Sequence, residues 1–276
     1  MRWIAVILTL MAGLGQGLGP ALAQETPLVS LQTGDAGAAW QAVGRLDLGE
    51  RGFCTGALIA ADLVLTAAHC LFDRETGARI DGEAIEFLAG WRNGTAKAYR
   101  GVRRAVAHPD YIYAGVDSLD RVAFDMALLQ LDQPIRLPSM VPFAVASPPG
   151  SGDAVAVVSY AQDRADAPSR QEVCHVIEAQ PGVLVLSCDV DFGSSGAPVF
   201  ARRDGVERIV SVVSAKADID GEKVALGADV AAQLAVLQAE LAKGAISTQA
   251  GGATVRLLSG GSAKGAKFVR PPQPAP

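Results

Sequence analysis

Short runs in which apolar residues cluster or alternate with polar ones recur along this chain. They fall at residues 41–46, 53–60, 63–66, 84–89, 126–131, 154–160, 183–187 and 209–214. Turn-prone Gly, Asp and Pro separate most of them. Runs of that length, rich in Val, Leu and Ile and bounded by turn residues, predict β-strands. Many short strands without long helices between them predict a barrel or a sandwich. A Pro-rich stretch, 133–149, divides the pattern in two.

One helix interrupts this pattern. Asp229 can cap it, Val230, Leu234, Leu237 and Leu241 form an apolar stripe, and Gly244 can end it. Residues 244–276 are rich in Gly, Ala and Ser and finish Pro-Pro-Gln-Pro-Ala-Pro. After Glu240 no acidic residue occurs, while Arg256, Lys264, Lys267 and Arg270 are basic. This composition predicts a flexible, basic, Pro-rich tail. A short hairpin from 253–258 and 266–269 is the structured alternative.

The first residues have a different periodicity. Arg2 precedes an apolar run at 4–10, and Ala21-Leu22-Ala23 forms a small-residue cleavage motif before Gln24. That arrangement predicts a signal peptide over 1–23. An uncleaved membrane anchor is the alternative, against which the Gly-rich 13–20 and the cleavage motif argue. No later apolar run is long enough to span a bilayer. The expected product is exported, periplasmic or secreted, begins at Gln24 and has no stable membrane insertion.

Composition adds bounds. Of 276 residues, 50% are hydrophobic and 19% charged, an ordinary globular balance with room for one or two domains. A net charge of −5, without clusters of aromatic and basic residues, gives no reason to expect nucleic acid as a partner. Four cysteines in an exported chain predict two disulfides. Three pairings are possible. The local one joins Cys54 to Cys70 and Cys174 to Cys188, each closing a short loop worth roughly 3 kcal/mol. Clustered Cys/His spacing for zinc is missing, so no metal and no cofactor are expected.

Three short motifs carry candidate chemistry. His69 sits in Thr66-Ala67-Ala68-His69-Cys70, Asp125 directly precedes the apolar Met126-Ala127-Leu128-Leu129, and Ser195 lies in Gly193-Ser194-Ser195-Gly196-Ala197-Pro198. A Ser hydroxyl is a poor nucleophile until a base takes its proton, and the base must be oriented by a third group. Of three histidines, His108 lies in a surface-turn context, His-Pro-Asp-Tyr, and His175 follows Cys174 in a predicted strand. His69 is set between a β run and a cysteine, a rigid mount, and is the candidate base. Asp117 and Asp120 rival Asp125 but precede the apolar strand, where solvated loop charges are natural. Asp125 enters a buried element, where an acid needs a partner. Ser194 rivals Ser195 by adjacency; the Gly-x-Ser-Gly register selects Ser195.

The order His…Asp…Ser, carried on these motifs, resembles the chymotrypsin/trypsin-like serine peptidases from about residue 40 to 243. The resemblance implies an all-β fold. Two six-stranded antiparallel β-barrels would hold the site in the cleft between them, followed by a C-terminal α-helix. Residues 24–39 would form an N-terminal segment, 40–137 the first barrel with His69 and Asp125, 138–229 the second with Ser195, and 230–243 the helix. The Cys54–Cys70 bridge matches the family's bridge beside the catalytic His. The N–H groups of Gly193 and Ser195 are implied as an oxyanion hole. The segment Val213-Ser214-Ala215-Lys216 is implied as the edge strand on which an extended peptide adds, with Ser214 in the site wall. The implied substrate is a protein or peptide, and the implied enzyme a monomer. Activity would fall as His69 protonates, below roughly pH 6–7.

Two departures refine the resemblance. Vertebrate-type members carry Asp directly before the nucleophile, paired with a new amine made by zymogen cleavage. Here Ser194 occupies that position, and the basic-residue-then-Ile-Val-Gly-Gly cleavage motif is absent, Ala42-Val43-Gly44-Arg45 being the nearest match. Both departures imply an enzyme without a cleavage-driven switch. With Gly-Ser-Ser-Gly-Ala-Pro and a cysteine seven residues before the nucleophile, the chain resembles the bacterial glutamyl-endopeptidase branch. Asp189, where trypsin-like members place the acid that binds Lys or Arg, and Lys216, on the expected pocket rim, are candidate substrate-binding residues. A catalytically silent binding module and a serine esterase using the same site remain alternative functions.

Overall fold

A computed structural model describes residues 24–113, 119–219 and 221–250. The predicted signal peptide and the tail beyond residue 250 lie outside the described residues. Among the described residues, thirteen strands and two α-helices follow in order. They are β1 (Leu28–Ser30), β2 (Val43–Asp47), β3 (Phe53–Ala60), β4 (Leu63–Thr66), β5 (Glu86–Ala89), β6 (Ala98–Ala107), α1 (Leu119–Ala123), β7 (Ala127–Leu131), β8 (Ala154–Ser159), β9 (Ser169–Gln180), β10 (Val183–Leu186), β11 (Pro198–Arg203), β12 (Val206–Ile219), β13 (Glu222–Asp229) and α2 (Val230–Ala250).

The strands close into two antiparallel six-stranded barrels. The first runs β2-β3-β4-β7-β6-β5 and returns to β2 through the Arg45↔Leu88 register. The second runs β8-β9-β10-β13-β12-β11 and closes where β11 pairs with β8 at Val199↔Val157. β1 lengthens the second barrel by pairing with β9, so the N-terminal segment belongs to the C-terminal barrel. Closure removes the unpaired edges that open sheets expose.

The Pro-rich stretch straps the barrels together. The N–H groups of Ile135 and Phe143 donate to the Ala61 and Leu58 carbonyls of the first barrel, and Ala146 N–H donates to Ile209 of the second. Phe143 on this strap, Trp40 ahead of the first barrel and Phe200 on β11 form an aromatic joint. Its ring centroids lie 4.8 Å (Phe143–Phe200), 5.1 Å (Trp40–Phe200) and 6.1 Å (Trp40–Phe143) apart. Edge and stacked pairs at these separations add to the large apolar area that aromatic rings remove from water.

The two disulfides pair locally, Cys54–Cys70 and Cys174–Cys188. Asp229 caps α2 by accepting from the N–H groups of Ala231 and Ala232 on Oδ1. The helix then continues past Gly244, where the sequence suggested an end, to Ala250. A glycine inside a helix costs about 1 kcal/mol, which the surrounding Ala-rich turns can absorb. The expected surface turn is present at Pro109-Asp110, but the His108 side chain points inward from it. His108 is buried, stacked on Phe124 at 5.1 Å, and burial holds its pKa below the ordinary value.

Candidate active site

His69 stands on a 3-10 turn, Ala68–Leu71, that follows β4. Cys70, the next residue, is bridged to Cys54 on β3, which fixes this turn to the barrel wall. Both sulfurs are used in that bridge, so neither is a thiolate able to hold a metal beside His69. Asp125 lies between α1 and β7, fully buried, with its N–H donating to the Val122 carbonyl. The His69 N–H donates to Asp125 Oδ1 at 2.8 Å, and His69 Nδ1 lies 2.6 Å from Oδ2. Ser214 Oγ donates to the same Oδ2. Of the rival acids, Asp117 lies outside the described residues and so does the side chain of Asp120.

Burial alone would raise the Asp125 pKa by disfavouring its charge, and it is the largest single influence. The attraction of His69 and the hydrogen bonds from His69 and Ser214 together outweigh it, and the pKa lies below the ordinary value. Asp125 is therefore an acceptor only. The proton between it and His69 belongs to Nδ1, and in the neutral imidazole Nε2 is then the acceptor.

Ser195 is half-buried in the loop before β11, and it lines both of the cavities that His69 lines. Ser194, its sequence rival, is fully buried. The Ser194 hydroxyl lies within 3.2–3.4 Å of Ser159 Oγ, Tyr160 O, Arg164 Nη2 and Asp191 N, a structural network, and Ser194 lines neither cavity. Among the described residues, the backbone N–H groups of Gly193 and Ser195 donate no hydrogen bond. Two unpaired donors two positions apart, beside a hydroxyl, can receive an oxyanion.

Thr55, on β3 of the first barrel, holds this loop from below, a role that the sequence did not signal. Its N–H donates to Ser195 O at 2.8 Å, its hydroxyl donates to Gly193 O at 2.9 Å, and the hydroxyl accepts from Tyr160 N–H at 3.1 Å. Thr55→Val keeps the side chain's shape and leaves a buried carbonyl and a buried N–H without partners. A loss of about 2 kcal/mol in urea unfolding is expected. A fall of about tenfold in kcat/KM should accompany it, recovered by Thr55→Ser.

β12 builds the other wall. Its register against β13 shifts between Val213 and Ala215, and this bulge turns Ser214 toward Asp125. β11 pairs with β12 as far as Val212, and Val213 still exchanges backbone hydrogen bonds with Ala197 and Gly196; beyond it, among the described residues, no strand pairs with that edge of 214–216. The cavity beside it, about 690 Å³, is lined by Val190, Asp191, Val213, Ser214 and Lys216. Lys216 Nζ lies 2.6 Å from Asp191 Oδ1, and this contact holds the Asp191 pKa below the ordinary value. Asp189 is not in the lining. It is exposed, and its N–H donates to Gln171 Oε1 at 2.7 Å. The acid in this wall is Asp191, which sequence spacing did not single out.

The family model described as "Trypsin-like peptidase domain" matches residues 54–212. Coagulation factor IX of Cavia porcellus is 32% identical over 96 residues, 34% of this chain and 31% of that protein. A trypsin of Phaedon cochleariae is 34% identical over 86 residues, 31% of this chain and 30% of that protein. The chain thus spans about a third of the length of these curated relatives. Its fold is like that of a solved Glu endopeptidase in complex with MPD. The TM-score is 0.64 at 17% identity, over 78% of this chain and 96% of that one. The match to the family model takes in more than half of the sequence, with His69, Asp125 and Ser195 inside it, and on that ground the chain belongs to the trypsin-like peptidases.

Proposed function

We propose that this chain is an exported serine endopeptidase of the bacterial, glutamyl-endopeptidase-like type, with Asp125, His69 and Ser195 as its triad. The observation that carries the reading is the buried Asp125 bonded to His69 Nδ1, with His69 and Ser195 lining common cavities. Ser195 attacks a peptide carbonyl while His69 Nε2 takes its proton. The Gly193 and Ser195 N–H groups receive the oxyanion, and Ser214–Lys216 pairs with the acyl side of the substrate as an added strand. His69 then protonates the leaving amine, and water releases the acyl group.

Export is supported by the signal-like 1–23 and by two disulfides, which suit an oxidising compartment. Ser194 bonds to neutral groups and to Arg164, so its loop needs no ion pair with a newly made amine. Protein beginning at Gln24 is therefore expected to be active without further trimming. A fluorophosphonate should label it once, on Ser195, as read by mass spectrometry, and His69→Ala should abolish the label. Folded protein that takes no label would overturn the reading in favour of a silent binding module. Labelled protein that cleaves esters but no member of a peptide library would be an esterase.

A further inference from the structure

The cleft continues past Ser195 on the side opposite the added strand. There, a second cavity of about 80 Å³ has apolar walls from Leu48, Phe53, Phe72 and the Cys54–Cys70 bridge. If the acyl side of a substrate lies along Ser214–Lys216, its leaving side must cross into this cavity. Its rim carries Arg51 and Arg74.

The cations around Ser195 are not equivalent. Lys216 is matched by Asp191 at 2.6 Å, and Arg51 by Asp73 at 2.9 Å. Arg74 has no carboxylate partner among the described residues, although Glu75 is its neighbour in sequence. Its guanidinium lies 5.1 Å from the centre of the Phe192 ring, and both residues line both cavities. Stacking on a ring face leaves the edges of the guanidinium, with their N–H donors, open to a carboxylate. Phe192 directly precedes Gly193, and Arg74, Phe192 and Gly193 line the same cavity.

We propose that Arg74 is a specificity-determining residue for the leaving side of the substrate, binding a carboxylate one or two residues after the cleaved bond. This inference rests on the peptidase reading above for the direction in which the substrate lies. The carboxylate has two possible sources, an Asp or Glu side chain within a longer chain or the free C-terminus of a short one. The geometry fixes the chemistry they share: a planar anion that accepts two parallel N–H donors.

The test pairs binding with turnover. Peptides randomised before the cleaved bond carry Glu or Gln at the first or second position after it, and each is made with an amidated and a free C-terminus. Fluorescence anisotropy with Ser195→Ala protein reads binding without catalysis, and the full-length active protein reads kcat/KM. Glu is expected to be preferred over Gln about 2–5-fold, an effect in the range of exposed charge pairs and weakened by added salt. Arg74→Ala should bring the ratio to one, and Arg74→Lys should keep part of it. A preference that follows the free C-terminus alone assigns the site to terminal carboxylates. Glu/Gln ratios and terminus effects near one in the wild type, ratios unchanged in Arg74→Ala, or no binding by any peptide would each overturn the proposal. Arg74-dependent binding without cleavage would keep the docking site and overturn the peptidase reading instead.

Discussion

Asp125→Asn is expected to lower kcat/KM by about 10⁴-fold while leaving the chain folded and Ser195 in place. The argument is one of donors and acceptors. Asp125 accepts from the His69 N–H on Oδ1, and from His69 Nδ1 and Ser214 Oγ on Oδ2. An asparagine must turn its oxygen toward the backbone N–H, because the reverse orientation sets two donors against each other. Its NH₂ then occupies the Oδ2 position, where it donates to His69 Nδ1. The imidazole proton moves to Nε2, and the nitrogen facing Ser195 can no longer take a proton. Steady-state kinetics and the rate of fluorophosphonate labelling should fall together. A loss within tenfold would mean that Asp125 does not set the tautomer of His69.

The largest stability effect is expected from Gly196→Ala, about 2–5 kcal/mol. A Cβ there would stand 2.1 Å from Thr66 Oγ1, 2.3 Å from the Thr55 carbonyl and 2.9 Å from the Ala67 nitrogen. The last two are backbone atoms and cannot rotate away. Gly196 also has φ +78, where an L side chain costs roughly 1–2 kcal/mol before any collision. Overpacking adds a further 1–3 kcal/mol or so. Gly205→Ala is the control, since Gly205 has φ +77 and nothing within 4 Å of its added Cβ. Thermal unfolding with the disulfides intact should show Gly196→Ala melting about 10 °C below wild type. Gly205→Ala should lose only a few degrees. Equal losses at the two glycines would show that backbone strain, not contact with Thr55 and Ala67, sets the cost.

Much of the fold was legible in the sequence because eight strands have clean apolar runs. The strands that escaped notice have physical reasons for doing so. β6 reads Ala-Tyr-Arg-Gly-Val-Arg-Arg-Ala-Val-Ala, and its arginines mask the alternation. β9 mixes Arg, Gln, Glu and His into a long curved strand that pairs with β1, β8 and β10, so its burial changes along its length. At the site, the base, its carboxylate and the hydroxyl were legible because each is set in a local motif. Thr55 was not, since its contacts with Gly193 and Tyr160 cross 138 and 105 positions of sequence. The pairing of Lys216 with Asp191 spans 25 positions, and spacing alone favoured Asp189 over its neighbour.

The aromatic joint also bears on the order of synthesis. His69 and Asp125 both precede Phe143 in the chain, whereas Ser195 and Phe200 follow it. A ribosome therefore delivers a complete first barrel, base and acid included, before any nucleophile exists. Phe200 meets Trp40 and Phe143, and Thr55 meets the Ser195 loop, only after Ser195 has been made. On the proposed reading, a nascent or half-translocated chain cannot cut its neighbours. The destructive chemistry is withheld by chain order until export and folding are nearly complete.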